Sequence, residues 1–104
     1  MENAKEYNQY MVELKLPEVM DMEFMSLIPK QRKMVNDLFM EKTLLTYTLS
    51  LDRSRLWTTL LAQTELEVIE IMESFPLTAY MSYAIHPLMF NEIAQQGMPA
   101  ISLN

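Results

Sequence analysis

The sequence predicts an α+β domain with the element order β-α-β-β-α-β. The first observation is a two-residue alternation of apolar side chains, which is typical of strands, in residues 7–16 and 44–51. Residues 56–62 and 81–88 are the third and fourth predicted strands. The second is apolar residues spaced by three and four in two intervening segments, which is typical of helices. Two right-handed crossovers then pack both helices on one face of a four-stranded antiparallel sheet, which is the ferredoxin-like arrangement.

The first half of the chain predicts one strand and one long helix. Residues 7–16 (YNQYMVELKL) alternate, and Pro17 ends the strand because proline cannot donate a ladder hydrogen bond. Asp21 is a candidate N-cap for a helix over residues 22–42. Pro29 lies inside this helix, and the apolar stripe stays in phase on both sides of it. We therefore predict one kinked helix rather than two.

The second half begins with a predicted β-hairpin. Residues 44–51 (LLTYTLSL) and 56–62 (LWTTLLA) are rich in β-branched and aromatic residues and are joined by the short polar stretch DRSR. Thr64 and Glu67 have the spacing of a capping box, which predicts the start of the second helix. Pro76 ends that helix before the last strand.

The chain of 104 residues fits one domain, with a core over about residues 7–90 and an irregular C-terminal arm over residues 91–104. The second face of the sheet has no helix to cover it, and we expect it to carry large apolar side chains. Such a face normally marks an association surface. We therefore predict a homodimer or larger homo-oligomer in which two sheets pack face to face, a dimeric α+β barrel.

Composition argues against several classes of function. The net charge is −6 and the 8 basic residues are scattered, whereas nucleic-acid binding needs a concentrated basic face. With no cysteine, one histidine and one glycine, we expect no metal site, no dinucleotide loop and no cofactor. No apolar run is long enough to cross a bilayer, and the N-terminus has no apolar signal segment. The absence of cysteine suits a cytoplasmic location, which we predict.

Three residues are candidates for proton-transfer chemistry, which needs a base and a donor for an enolate oxygen. His86 is the only histidine, and an imidazole can carry protons near neutral pH. Glu13 lies mid-strand between apolar residues, where a desolvated carboxylate is a stronger base. Tyr47 offers a hydroxyl donor. The structural alternatives are an exposed histidine bonded to a backbone carbonyl, a carboxylate paired with a basic group across a dimer, and a core tyrosine.

Three further residues are candidates for binding a substrate. Trp57 offers a flat wall for a small ring, and Tyr83 offers a second hydroxyl. Arg55 can bind a carboxylate with two parallel hydrogen bonds. It ranks above Arg53 because it is next to the strand. The alternatives are core or interface packing for the aromatic residues and a solvated loop charge or dimer contact for the arginines.

Three local strings, together with the element order, resemble the muconolactone isomerase family of small dimeric α+β barrels. The strings are LKLP at 14–17, FPL at 75–77 and YM at 80–81, and FPLTAYM is the most specific part. The resemblance covers about residues 7–90. It implies a homo-oligomer that moves a proton between carbons, without cofactor or metal, and thereby shifts a double bond in a lactone.

The chain departs from that family's pattern at its candidate site. Ser82 and Ala84 follow Tyr-Met where the family has acidic residues, and the pair His86-Pro87 is not in the family's register. Threonines and leucines also replace the family's Trp-Arg stretch before the hairpin. No catalytic residue is therefore carried over from the resemblance.

Two classes of function follow from the sequence. The first is a cofactor-free isomerase that shifts a C=C bond in a small lactone or unsaturated carboxylic acid. The alternative is a non-enzymatic dimeric module that binds a small ligand, or a cofactor-free monooxygenase-like barrel. A pocket where Glu13 or His86 lies beside a donor favours an enzyme, whereas a purely apolar pocket favours a binding module.

Overall fold

A computed structural model of the chain describes residues 6–94. It contains an antiparallel sheet of four strands in the order β2-β3-β1-β4, with the helices on one side. The elements are β1 Asn8–Lys15, α1 Met22–Ser26, α2 Ile28–Met40, β2 Leu44–Leu49, β3 Arg55–Ala62, α3 Glu65–Ser74 and β4 Ser82–Leu88. The predicted α+β, ferredoxin-like fold is confirmed. Most of the predicted C-terminal arm lies outside the described residues.

The predicted single kinked helix over residues 22–42 is wrong, because the chain forms two helices separated by Leu27. The N–H of Leu27 donates to the carbonyl of Phe24 at 3.1 Å, a tight turn that closes α1. Pro29 lies in the first turn of α2, where its missing N–H costs no intrahelical hydrogen bond. Asp21 caps α1 as predicted, accepting from the N–H of Phe24 at 2.9 Å. Proline therefore starts a helix here instead of bending one.

The hairpin between β2 and β3 is a polar loop ordered by one carboxylate. Asp52 Oδ1 accepts from the Ser50 hydroxyl at 2.7 Å and from the N–H and hydroxyl of Ser54 at 3.0 and 2.7 Å. Arg53 follows in the left-handed region, with φ 64°. Strand β2 ends at Leu49, two residues earlier than predicted, because the turn begins at Ser50. The loop thus holds Arg53 in a fixed and unusual backbone conformation.

Helix α3 begins with the predicted cap. Glu67 donates its N–H to the Thr64 hydroxyl at 3.2 Å, and its own carboxylate accepts from the N–H of Gln63 at 2.7 Å. The reciprocal bond therefore goes to the residue before the N-cap. The buried residues of this helix, Val68 and Met72, pack towards the sheet.

The core lies between the helices and one face of the sheet, and the other face is open. Core residues include Tyr10, Val12, Leu14, Val35, Leu44, Leu56, Leu60, Val68, Met72 and Phe75. The strand register puts the alternate residues of each strand on the open face. These include Gln9, Met11, Glu13 and Lys15 of β1, Arg55 and Trp57 of β3, and Ser82, Ala84 and His86 of β4. The open face is therefore mixed and charged at its centre, not apolar as expected.

Candidate functional site

The sheet divides the six predicted site residues into two groups. The open-face group is Glu13, Arg55, Trp57 and His86. Trp57 pairs directly with Glu13 across β1 and β3, while Arg55 pairs with Lys15 and His86 pairs with Met11, which are on the same face of β1 as Glu13. The helix-face group is Tyr47, opposite Thr58, and Tyr83, opposite Leu14. The six residues therefore do not form one site, although Tyr83 also borders a cavity that Glu13 and Arg55 line.

The open-face group contains a charged cluster, which we call the Glu13 cluster: Glu13, Arg55 and His86. One carboxylate oxygen of Glu13 lies 3.6 Å from Arg55 Nε, and the other lies 3.7 Å from His86 Nε2. Both separations exceed ordinary hydrogen-bond lengths, so these are loose ion pairs, the second only when the imidazole is protonated. The side chains are 39 to 53% exposed, and each such pair contributes at most about 1 kcal/mol. Glu13 thus pairs within its own chain.

A shallow cavity of about 310 Å³ adjoins the Glu13 cluster. It is lined by Glu13, Lys15, Arg55, Ser82, Tyr83 and Ala84. Trp57 is half-buried beside it, directly across from Glu13 on β3. A candidate base, a candidate proton carrier and a guanidinium therefore lie together on the open face, and Glu13 and Arg55 border the cavity.

The Tyr83 side chain forms a hydrogen bond that joins β4 to α3. Its hydroxyl donates to a carboxylate oxygen of Glu73 at 2.8 Å. Burial, followed by the hydrogen bond to Glu73 and the charge of that carboxylate, raises the pKa of Tyr83 to about 12. The hydroxyl is thus protonated at neutral pH and committed to an intramolecular partner, on the face opposite Glu13.

A larger apolar cavity lies between the helices and the sheet, and we call it the helix-side cavity. Its volume is about 460 Å³. Its apolar lining is Leu16, Met20, Phe24, Ile28, Leu49, Leu56, Leu77 and Met81. Its polar lining is Gln31, Arg32, Tyr47 and Arg53. Within residues 6–94, the side chains lining this cavity include no carboxylate and no imidazole.

The FPLTAYM segment builds one wall of this cavity. Leu77 and Met81 line it, while Phe75 is buried in the core. The Thr78 hydroxyl donates to the carbonyl of Met72 at 2.6 Å, which ties a short 3₁₀ turn at Thr78–Tyr80 to the end of α3. The string that carries the family resemblance therefore has a structural role, since it forms part of the cavity wall and packs against α1 through the Tyr80–Phe24 ring contact.

Gln31 and Tyr47 form a polar pair on the inner wall of the cavity. Gln31 Nε2 donates to the Tyr47 hydroxyl at 3.0 Å, and Gln31 Oε1 accepts from the N–H of Leu77 at 3.2 Å. Within residues 6–94 the Tyr47 hydroxyl has no other hydrogen bond, so its own proton is left to donate. Burial raises the pKa of Tyr47 above its ordinary value, against smaller opposing effects of Gln31 and Arg32. The hydroxyl is therefore a donor and not a base at neutral pH.

Sequence reasoning missed Gln31, although a signal was present. The stripe of α2 runs through Ile28 and Val35, and Gln31 stands between them at spacings of three and four. A polar residue within the apolar stripe of a helix is expected to face the core. In the structure Gln31 is only 7% exposed. A buried amide must find partners, which is why it bridges α2, β2 and the segment after α3.

Two arginines stand at the exposed rim of the helix-side cavity. Arg32 comes from α2, next to Gln31, and Arg53 comes from the β2–β3 loop. Neither forms an ion pair with any side chain in residues 6–94. Arg55, which the sequence analysis ranked above Arg53, does not line this cavity, because it lies on the open face and pairs with Glu13.

Residues 6–94 contain no group of three or more His, Asp or Glu side chains placed to hold a metal ion. In the same range, no helix has both the length and the apolar character needed to cross a membrane.

Comparisons with known proteins add no family assignment. No protein-family model matches the sequence, and no curated protein matches it. The chain is thus defined by its fold and its sites: a small α+β protein with a ferredoxin-like arrangement, an apolar cavity on the helix side and a charged cluster on the open face. The resemblance to the muconolactone isomerase family stays a prediction.

Proposed function

We propose that this protein binds a small, mostly apolar molecule in the helix-side cavity. The observation that carries the proposal is an apolar cavity of about 460 Å³ with a Tyr47–Gln31 pair on its wall. Ligand sites are typically concave and apolar, with volumes of roughly 300–1,000 Å³ and a few polar groups that orient the ligand. Tyr47 supplies such a group, because its hydroxyl can donate to a ligand oxygen.

The chemistry of the cavity favours binding over proton transfer. A base must lie within hydrogen-bond reach of the proton that it removes. The lining described within residues 6–94 holds a protonated tyrosine, an amide and two arginines, none of which is a base at neutral pH. The candidate bases Glu13 and His86 lie across the sheet. A non-enzymatic small-ligand module is therefore the better-supported function for this cavity.

A thermal-shift experiment tests this proposal. Small lactones and unsaturated carboxylic acids are titrated against the protein, because a ligand of the native state raises the melting temperature with concentration. Met20→Trp fills the cavity and should abolish the shift. Met22→Trp, at a neighbouring methionine that is 86% exposed, is the matched control and should leave the shift intact. A shift that survives Met20→Trp places the ligand elsewhere and contradicts the proposal.

A second candidate function is a cofactor-free isomerase at the Glu13 cluster. The observation in its favour is that Glu13 lies within 3.7 Å of His86 and within 3.6 Å of Arg55. A carboxylate base, a proton carrier and a cation for a substrate carboxylate are the groups that an isomerase of lactones or unsaturated acids needs. Exchange of substrate C–H for deuterium in D₂O, followed by NMR, is the test. Loss of exchange in Glu13→Gln but not in Glu18→Gln supports it, and no exchange in the wild type contradicts it.

A homodimer through the open face is a further part of the proposal. This face lacks a helix and carries the half-buried side chains Met11, Trp57 and Leu61 beside the Glu13 cluster. A second copy would cover these groups and remove the Glu13 cluster from bulk water, which strengthens its electrostatic interactions. The cytoplasmic location and the monooxygenase-like alternative stay predictions.

A further inference from the structure

We propose that the ligand of the helix-side cavity is the anion of a small amphipathic carboxylic acid, whose carboxylate binds to Arg53 and Arg32 at the rim. This inference rests on the proposed function, because it names the class of molecule that the cavity binds. The apolar wall holds the hydrocarbon part, while the guanidinium groups hold the charged end. Three features of the described residues support it.

The first feature is the way in which the loop presents Arg53. A residue other than glycine at φ 64° is in a sparsely populated conformation, and such positions persist where the surroundings hold them. Here the Arg53 N–H donates to the carbonyl of Ser50 at 3.0 Å, while Asp52 fixes the residues on both sides. The loop therefore fixes the backbone from which the Arg53 side chain reaches the cavity rim.

The second feature is that two carboxylates near these arginines in the sequence, Asp52 and Asp37, are bonded to other groups. Asp52, the neighbour of Arg53, accepts three hydrogen bonds from Ser50 and Ser54. On α2, Asp37 pairs with Lys33 at 3.0 Å and not with Arg32. Both rim guanidinium groups therefore keep donors for a carboxylate from outside the described chain, with the fork geometry that suits a planar anion.

The third feature is the contrast between the rim and the rest of the molecule. The chain carries a net charge of −6, so its surface does not attract anions in general. Below the rim, apart from the Gln31–Tyr47 pair, the cavity lining consists of aliphatic, aromatic and thioether groups, which do not suit a strongly hydrated ligand. The ligand that fits both parts has one anionic end and an apolar body. That description excludes a sugar phosphate and favours a carboxylic acid with a ring or a short chain.

Calorimetric titration with a matched pair of probes tests the inference. The acid probe is 4-phenylbutanoate, and the neutral probe is its methyl ester. We expect the acid to bind the wild type roughly tenfold more tightly than the ester. This ratio corresponds to the free energy of one good charge-assisted hydrogen bond at an exposed site. Arg53→Gln and Arg32→Gln should each weaken acid binding several-fold and leave ester binding unchanged. Lys30→Gln removes a charge from the same helix as Arg32 and should change neither affinity.

The outcomes separate this inference from the proposed function. If neither probe binds the wild type, the proposed function fails. If both bind equally, or if the two arginine variants bind the acid as well as Lys30→Gln does, the cavity binds apolar molecules but the carboxylate assignment is overturned. Equal affinity for 3-phenylpropylphosphonate would overturn the choice of a carboxylate over other anions. Because ester binding reports an intact cavity, misfolding of a variant cannot be mistaken for a lost anion contact.

Discussion

The amide of Gln31 donates a 3.0 Å hydrogen bond to the hydroxyl of Tyr47 and so joins α2 to β2 at the inner wall of the helix-side cavity. The other end of the same amide accepts from the N–H of Leu77. One buried side chain therefore holds together three of the elements that line the cavity. We therefore expect the Gln31 side chain to contribute both to the stability of the fold and to the shape of the helix-side cavity.

Replacing Gln31 by Met should destabilise the protein by about 1–3 kcal/mol, because the buried N–H of Leu77 loses its partner. Tyr47→Phe removes only one bond of the pair and should cost less, about 0.5–1.5 kcal/mol. Urea unfolding of both variants and of the double variant measures the two costs and their coupling. Equal stability of Gln31→Met and the wild type would show that this bridge does not support the fold.

The bond between Tyr83 and Glu73 predicts an alkaline transition. The folded protein holds the pKa of Tyr83 at about 12, whereas the ordinary value is 10.0. Because the pKa of Tyr83 is higher in the folded than in the unfolded protein, the protonated hydroxyl stabilises the fold fully below pH 10. This contribution is lost as the pH rises from 10 towards 12. Wild type and Tyr83→Phe should therefore differ in stability at pH 8 and converge above pH 12.

Ultraviolet titration of the tyrosines provides a second readout. Glu73→Gln removes the negative charge beside the hydroxyl and should lower the pH at which Tyr83 ionises. Glu70→Gln, one turn away on the exposed side of α3, is the control and should leave the titration unchanged. An identical curve for Glu73→Gln and the wild type would contradict the assigned cause.

The ordered β2–β3 loop predicts an acid transition. Hydrogen bonds from Ser54 and Ser50 lower the pKa of Asp52 to about 2 from 3.8. Because the pKa of Asp52 is lower in the folded than in the unfolded protein, the ionised carboxylate stabilises the fold above pH 3.8. This contribution is lost as the pH falls through 2. Asp52→Ala should thus be less stable than the wild type at pH 7, and the difference should shrink below pH 3. A difference that does not depend on pH would rule out the carboxylate as its origin.

If two sheets pack through the open face, a substitution of Trp57 should change the oligomeric state. This side chain is half-buried and lies opposite Glu13 at the centre of the face. Trp57→Lys puts a charge where we propose that two sheets meet, and it should convert a dimer into a monomer in sedimentation-equilibrium experiments. Val19→Lys, at a residue that is 77% exposed before α1, is the control. A wild-type monomer at high concentration would contradict the proposed dimer.

The fold could be predicted from the sequence because its local signals agree with one another. Alternation in β1, the Asp21 cap and the Thr64–Glu67 cap each correspond to a contact in the structure. The break at Leu27 could not be predicted, since an apolar stripe that stays in phase on both sides of Pro29 is compatible with either one kinked helix or two separate helices. In the structure the N–H of Leu27 donates to the carbonyl of Phe24, and α2 begins at the next residue.

The site was less predictable because side-chain direction depends on strand order and loop conformation. The alternation already put Glu13 and Tyr47 in opposite phases relative to the core, so their separation could have been inferred. The contacts of Glu13 with Arg55 and His86 required the order β3-β1-β4, which sequence periodicity does not contain. Arg53 lies in a loop and has a positive φ. No periodic sequence pattern predicts the direction of a side chain at such a position.

The most direct test of the account is to locate a bound ligand by NMR, using amide shifts of the labelled protein titrated with 4-phenylbutanoate. The account predicts saturable shifts around the helix-side cavity, at Gln31, Tyr47 and Leu77, with little change at Glu13 and His86. Saturable shifts confined to the Glu13 cluster would contradict it and would favour the open face as the site.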